Sequence, residues 1–538
     1  MKFYFYIILL LFINIIQGQV DKRLQENLDT LQITTYGKSY TIKHLPKTVY
    51  VITQTELQKA NVESLDDALN LVAGIDVRSR GSKGVQSDLS IRGGNFDQVL
   101  ILLNGVKVNN PQTGHHSLDL PVDISMIERI EILEGASGQS FGINAYSGAI
   151  NIITKSPLKE QAKAGLKMGQ YGYLKTDFDL AHSMGKLAVY NGFSFQRSNG
   201  YLTKDSINNT DFYSIKDFVN IHYDDERYPV DLQAGYHQKD FGANSFYTAK
   251  YPWQYEKTQG YFASLSSTMG RKVIVKPQLN YKLHYDEFQL FRESVYENQN
   301  GYFVHQNDTA QYAPGVYYPG HNNHKTQQFG GQVQINFKTK YGETFINTGV
   351  RNEKIWSNTL GKTLDTPIKV SDRIIYTKSD ERTYIEAQIN QLKKWTNFDL
   401  GLGVNLLYNE QYKTRLTGGG YFSYHPKHFT HYVNINTASR LPTFTDLYYQ
   451  GPSNIGNPDL KPEYATTYEF GSKYFDQQNM LSVSLFMRDA NHTIDWIKYN
   501  PQDKWQPQNL TRLKTYGFET NLQRRFIKMF LRKISLSY

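Results

Sequence analysis

The chain has 538 residues, with no cysteine, 41 tyrosines, 29 phenylalanines and 40 glycines. Without cysteine there is no disulfide framework, no thiolate metal centre and no cysteine nucleophile. The net charge of +9 is scattered along the chain, which is surface charge rather than a nucleic-acid footprint.

In the opening MKFYFYIILLLFINIIQGQV, Lys2 precedes an apolar run from Phe3 to Ile16, and small Gly18 offers a cleavage point. The run falls short of the roughly 20 residues of a spanning helix, and the pattern predicts a signal peptide over residues 1–18. No later stretch approaches about 18 unbroken apolar residues. A polar leader, residues 19–45, follows. Within it DTLQITT alternates Thr30, Gln32 and Thr34 with Leu31, Ile33 and Thr35. Such a segment can add as an edge strand to a partner sheet, where backbone pairing transmits force with little side-chain specificity. The alternative is that it is the first strand of the next folded unit.

Residues 46–157 read as a compact α/β unit. A strand is expected at Val49–Ile52, then a short helix capped by Thr55. Ser64 caps a second helix with Asp67 in capping-box spacing, Leu65, Ala68, Leu69 and Val72 on one face, and Gly74 as its C-cap. Short strands follow at 89–93, 99–105, 128–135 and 148–154, and Asn104-Gly105 is a tight-turn dipeptide.

From residue 160 to 538 the pattern changes to segments of about ten alternating residues. In FDLGLGVNLLY, Phe398, Leu400, Leu402, Val404, Leu406 and Tyr408 share one face, and Asp399, Gly401, Gly403 and Asn405 the other. LNYKLHYDEF and MLSVSLFMRD repeat it. Such period-2 alternation means a sheet with one apolar and one polar face. The signal peptide, tyrosines at segment ends, and long polar inserts (291–325) alternating with tight turns (Met184-Gly185-Lys186) favour a transmembrane β-barrel over a soluble sandwich.

Several ordered motifs resemble the TonB-dependent outer-membrane receptors: VYVITQTEL (49–57), SLDDALNLVAGIDV (64–77), LSIRGGN (89–95), VLILLNGVKVN (99–109) and IERIEILEGASGQSFGINAYSGAINIIT (127–154) in the α/β unit, then ASRLPTFTDLY (438–448) and GNPDLKPEYATTYEFG (456–471). The resemblance implies a transmembrane β-barrel of 22 antiparallel strands, plugged by the N-terminal α/β domain. It also implies residence in outer-membrane lipid, and energy supplied by TonB and its inner-membrane energising complex. DTLQITT then resembles a TonB box formed by Asp29, Thr30, Leu31, Gln32, Ile33, Thr34 and Thr35. Where the family usually reads Arg-Gly-Pro, this chain has Glu134-Gly135-Ala136, so charge pairing at position 134 does not carry over. Glu128, Arg129 and Glu131 are expected to pair against the polar barrel wall.

The loop NNPQTGHHSLDLPVD (109–123), with GGNFDQVLILLNG (93–105) and KDFGANSFYTAKYPWQYE (239–256), is similar to the cobalamin-receptor-like branch of Bacteroidetes type. By that resemblance the ligand is cobalamin or another corrinoid. Loops 78–88 and 109–119 would face outward and offer Arg78, Arg80, Gln86, Asn109, Gln112, His115 and His116. A barrel loop with Tyr247, Tyr251, Trp253 and Tyr255 would pack on the ligand rim, or serve only as an interfacial belt. A surface lipoprotein is a further partner this branch allows. Alternatives are a ferric siderophore or haem receptor of the same mechanism, or a surface ligand-binding protein without transport. A passive porin is disfavoured by a plug of this size.

Adjacent His115 and His116 would point opposite ways on a strand. Together with His321 and His324 they lack a third ligand at clear spacing, so no metal is assigned. In cobalamin receptors calcium can order outer loops through Asp clusters; here Asp224 and Asp225 are adjacent without a dense Asp run, so calcium stays open and no other cofactor is assigned. No phosphate loop, HExxH or GxSxG appears, so the chain is not read as an enzyme. About 17 alternating segments follow the plug, the last being KISLSY. Against the family's 22 and the even strand number of bacterial barrels, about five C-terminal strands are expected to be missing. The alternative is that Ile534, Leu536 and Tyr538 close a smaller barrel.

Overall fold

The computed structural model describes residues 32–35, 38–42, 45–81, 85–136, 142, 144–202, 208–244, 246, 252–299, 302–305, 308–310, 321–451, 453–476, 479–527 and 530–537. Local chemistry sets the elements of the plug. Val49–Thr53 is a buried β-branched and aromatic run that passes directly into the helix Gln54–Lys59. Thr53, not Thr55, caps that helix. The Thr53 hydroxyl accepts from Glu56 N–H, and the Glu56 carboxylate accepts from Thr53 N–H at 2.9 Å. Thr55 also has a partner of the right type three residues on, Gln58, but the helix already begins at Gln54, which leaves Thr53 and Glu56 to form the reciprocal box. Ser64 does cap the next helix, accepting from Asp67 N–H at 3.3 Å, but the helix spans only Leu65–Leu69. Gly74 takes φ +87°, a conformation open to glycine.

The plug sheet runs in the order Val49–Thr53, Ile127–Glu134, Gly148–Thr154, Val99–Leu103, Val106–Lys107. Its pairs are antiparallel except for the parallel pair Val99–Leu103 with Gly148–Thr154. Val99–Leu103 is buried along its whole length, which explains a VLILL run without alternation. Asn104 and Gly105 both take positive φ, 50° and 82°, and close the hairpin onto Val106–Lys107. Ile75–Arg80 and Gln86–Ile91 form a separate hairpin.

The second region is an eighteen-stranded antiparallel sheet, paired in chain order from Gln161–Met168 to Phe530–Ser537. Lys362–Lys369 belongs to a hairpin inside the connection between Gly342–Ser357 and Ile375–Lys394, which also pair directly. The other strands account for the alternating segments of the sequence. Along Phe398–Asn409 the expected faces separate: Leu402 and Val404 are 56% and 53% exposed, whereas Asn405 is 4% exposed. Leu481, Val483 and Leu485 likewise point out, and Ser482 and Ser484 point in. Apolar side chains outside and polar ones inside invert a water-soluble sheet and suit a wall in hydrocarbon. Neighbouring strands pair along the sheet from Gln161–Met168 to Phe530–Ser537, which satisfies the backbone groups of its inner strands as a bilayer demands. No described helix is long and apolar enough to cross a membrane.

Connections at one end are short (185–186, 340–341, 395–397). Those at the other end are long (199–211, 290–321, 441–462). The plug lies inside the wall. Its apolar core, including Ile101, Ile130, Ile132, Ile150 and Ile152, is sealed by Tyr190, Phe218 and Phe262 from barrel strands.

Candidate functional site: the plug and its seam with the wall

Two kinds of surface matter on the plug: the face toward the long loops, and the seam where the plug meets the inner wall. At the first, the Ile75–Arg80 and Gln86–Ile91 hairpin packs beside the one-turn helix Gly114–His116. Arg78 is well exposed and pairs with Asp76 at 2.9 Å. Arg80 donates to Asp88 Oδ2 at 2.7 Å and to Phe246 O, in the connection after Val230–Asn244, at 3.3 Å. His115 Nδ1 lies 2.5 Å from Asp88 Oδ1, and its ring stacks on Phe96 at 4.2 Å. Arg80, Asp88 and His115 therefore form one half-exposed polar patch.

The remaining plug residues singled out from the sequence lie elsewhere. Gln86 is buried. Asn109 braces the plug itself, accepting from Ile101 N–H and donating to Val99 O, both at 2.8 Å. Gln112 and His116 are buried in the seam. Gln112 Nε2 donates to Asp286 Oδ2 at 2.6 Å. His116 faces Asp119 through Nδ1 and Asp286 through Nε2, both at 3.3 Å. Burial disfavours the charged His116 ring, but Asp286 and Asp119 outweigh it and hold its pKa up to about 10. On the barrel, Tyr255 stacks under the Arg292 guanidinium at 4.2 Å, and Arg292 pairs with Asp211 at 2.6 Å. Trp253 O accepts from Arg292 N–H at 2.6 Å. Tyr247 and Tyr251 lie outside the described residues. So do Asp29, Thr30 and Leu31. Gln32–Thr35 pairs with Lys38–Thr41 in a hairpin separate from the plug sheet.

The seam is ionic. Arg92 donates to Glu519 Oε1 through Nε and to Glu469 Oε2 through Nη1, both at 2.8 Å, over the Phe486 ring. Glu134 lies 3.6 Å from the same guanidinium, and burial, together with Glu519, pushes its carboxyl well above the usual range. So position 134 does join the charge cluster, as a third carboxyl. Lys107 pairs with Glu386 at 2.7 Å, Lys155 with Asp179 at 2.8 Å, and Asp123 with Lys175 at 2.9 Å. Glu128, Arg129 and Glu131 make pairs within the plug and its link to the wall. Arg129 pairs with Glu131 at 2.8 Å and Glu128 with Lys159 at 2.6 Å, because Glu131 points into the plug sheet, where Asn151 also donates to it.

Beside the Asn104-Gly105 turn the seam opens into a polar cavity of about 120 Å³, lined by residues including Asn280, Gln332, Arg351 and Glu386. That is below the ~300 Å³ of a typical ligand pocket.

The motif ASRLPTFTDLY gives the clearest missed signal. Thr443 caps the helix Phe444–Tyr448, and the helix start grips the plug loop: Phe444 N–H donates to Pro111 O at 2.9 Å and Thr445 N–H to Gln112 O at 3.0 Å. Arg440 pairs with Asp446 at 2.6 Å and reaches Asp97 of the plug at 3.3 Å. The motif was legible as a family signature; its contact with the 109–119 loop was not.

The metal candidates read from sequence bond to different partners, although His324 lies close enough to His116 and Asp286 to feel their charge. His321 Nδ1 accepts from Leu290 N–H at 3.0 Å, and His324 Nδ1 lies 2.7 Å from Ser357 Oγ. Asp225 accepts from Arg227 N–H at 3.0 Å in a short connection. His115 and His116 point to different partners, as above.

Residues 41–149 match the TonB-dependent receptor plug domain, and residues 168–538 the TonB-dependent receptor-like β-barrel. The chain is 24% identical over 503 residues to a protein named vitamin B12 transporter BtuB from Vibrio vulnificus, covering 91% of this chain and 75% of the relative. It is 22% identical over 520 residues to one of the same name from Photobacterium profundum, covering 93% and 77%. Among solved structures, the ferric enterobactin receptor PfeA of Pseudomonas aeruginosa aligns with a TM-score of 0.70 at 14% identity, over 92% of this chain and 81% of that one. The siderophore receptor PirA of Acinetobacter baumannii aligns with a TM-score of 0.66 at 17% identity, over 89% and 78%.

Proposed function

The chain belongs to the TonB-dependent receptors, a family of outer-membrane β-barrel receptors and transporters, and within it we propose that this member imports cobalamin or a related corrinoid. The observation that carries the ligand is the similarity, over 91% of the chain, to relatives named vitamin B12 transporters. The ligand meets the long-loop end, which we take as the outer face. Arg78, Arg80 and His115 on the plug, with Trp253 and Tyr255 on the wall, are its contacts. Gln112 and His116 act one layer below, holding the plug to the wall.

DTLQITT serves as the TonB box. It lies between a signal peptide, residues 1–18, and a plug beginning near residue 46. A Gln32–Thr35 hairpin apart from the plug sheet supports this, because such a strand can transfer to a partner's sheet edge without unfolding the plug core. Proline at Leu31 or Ile33 removes a ladder donor and is expected to abolish uptake while ligand binding persists.

The deciding experiment is a titration of the receptor, purified from outer membranes, with cyanocobalamin in competition with a ferric siderophore and haem. Displacement by corrinoids alone supports the reading. Binding of an iron ligand without corrinoid binding replaces it with a siderophore or haem receptor.

A further inference from the structure

In the seam below the outer face, His116 Nε2 of the plug comes together with two carboxylates of the barrel wall. Glu256 and Asp286 project inward from adjacent strands, Gln254–Ser267 and Val273–Gln289. Their oxygens lie 3.8 and 3.3 Å from His116 Nε2, and the three donor atoms fall within 4.8 Å of one another. All three residues are at most 5% exposed. A charge-assisted N–H···O hydrogen bond closes to about 2.7–2.9 Å. By contrast, two donors on one tetrahedral ion with bonds of ~2.0–2.1 Å stand about 3.3–3.4 Å apart. The 3.3 Å separation matches the second spacing, though it also meets a long hydrogen bond, and the 3.8 Å one lies beyond both and would close on binding. A further observation points to a guest: Asp286 Oδ1 is buried with no hydrogen-bond partner among the described residues.

We propose that His116, Glu256 and Asp286 bind a first-row divalent cation of the Zn²⁺ class, which ties the plug to the wall. Imidazole with carboxylates, and no thiolate, suits such ions. The surroundings orient the ligands. Asp119 Oδ1 takes Lys239 Nζ at 2.6 Å, and Asp119 Oδ2 faces His116 Nδ1 at 3.3 Å. A proton on Nδ1 leaves the Nε2 lone pair toward Glu256 and Asp286, the carboxylate–histidine–metal arrangement. Gln112 Nε2 donates to Asp286 Oδ2, the oxygen that also faces His116, and so fixes the carboxylate with Oδ1 left open.

A rival grouping, His116, Asp119 and His284, is also compact, but its hydrogen bonds argue against it. Asn110 Oδ1 accepts from Gln112 N–H at 2.9 Å, so Asn110 Nδ2 faces His284 Nδ1 at 3.1 Å and donates. His284 then carries its proton on Nε2, toward Asp119, and has no lone pair to offer there. Without a cation, the His116 imidazolium closes the same gap, so the two states exclude each other.

The test uses the full receptor purified in detergent, stripped with chelator, and titrated with Zn²⁺, with Co²⁺ as the spectroscopic probe. One ion per chain is expected, with the visible bands of low-coordinate Co²⁺. His116→Asn, Glu256→Gln and Asp286→Asn should each weaken binding more than 100-fold. Asp119→Asn should weaken it about 10–100-fold, and His182→Gln at the exposed turn end should leave it unchanged. The wild-type measurement decides independently of whether a variant folds: failure to take up one Zn²⁺ or Co²⁺ per chain overturns the proposal and leaves His116 as a protonated bridge. Stoichiometric binding that survives in a folded Glu256→Gln or Asp286→Asn receptor also overturns it. Cobalamin titration is read separately, so loss of the corrinoid reading does not decide the metal.

Discussion

The plug is held together and held in place by different forces. Inside, it is apolar: Ile101, Ile130, Ile150 and their neighbours are almost wholly buried. Around its rim, beside apolar contacts to Tyr190, Phe218, Phe262, Phe475 and Met480 of the wall, many of the partners are ionic, with Arg92 on Glu469 and Glu519, Lys107 on Glu386 and Lys155 on Asp179. Apolar burial is lost whenever the core opens. Ion pairs and amides can be exchanged for water at little net cost. The difference suits a plug that, under the proposed pull at its N-terminus, would move as a unit. The seam is then expected to yield first, because water can enter and satisfy its ionic groups.

The largest effect should come from breaking the seam with one charge left behind. Arg92→Ala strands Glu469 and Glu519 in a dry interface, which for a broken buried pair costs about 3–5 kcal/mol. Proteolysis of the plug in the purified receptor should accelerate, and bulky antibiotics should enter cells more readily. Replacing the set together, Arg92→Met with Glu469→Gln and Glu519→Gln, should restore most of the resistance. If the triple variant is as leaky as Arg92→Ala, water does not substitute for the seam's pairs and the contrast drawn above fails.

Breaking the core instead should leave the seam alone. Ile101→Ala empties space in the middle strand region and is expected to cost ~2–5 kcal/mol. Calorimetry should show a lowered plug transition with the barrel transition unmoved. A shift of both together would mean that plug and barrel unfold as one unit.

The two regions are also unequally legible in the sequence. The core comes through because its signals are local: β-branched runs, the Ser64 cap, Asn104-Gly105. The wall comes through because its two-residue period repeats across the segments. The seam does not, because each contact joins positions such as Arg92 and Glu519 whose proximity no short pattern encodes. Thr55 reads as the helix cap in place of Thr53 because strand and helix abut without a loop, so the capping residue is also the last strand residue. Gln112 and His116 share a polar loop with Pro111 and Thr113, which reads as solvent-facing until the Phe444–Tyr448 helix is seen to cover it.

A smaller effect tests the seam by pH. Burial and the nearby Asp446 push the Asp97 carboxyl from its ordinary 3.8 up to about 6, although Arg440, His115 and the Gly114 N–H oppose this. The folded state therefore holds the Asp97 proton more tightly than the unfolded chain. That contribution to stability is fully present below about pH 4 and is lost as pH rises through about 6. In melts between pH 7 and 4.5, the part of the plug transition due to this residue should rise as pH falls. Asp97→Asn should flatten that part. An unchanged slope would show that Asp97 titrates alike in both states.

The smallest effect on stability is the most useful for function. Arg78 and Asp76 form an exposed pair, 78% and 57% accessible, of the kind that contributes little to folding. Arg78→Ala should leave both melting transitions in place. Any loss of ligand affinity in that variant then reports contact at the outer face and not damage to the plug, a separation that no residue of the seam allows. Weaker cyanocobalamin binding with an unchanged melt would place the ligand over the Ile75–Arg80 hairpin. Unchanged binding would move the contact toward Arg80 and His115, where the polar patch continues inward.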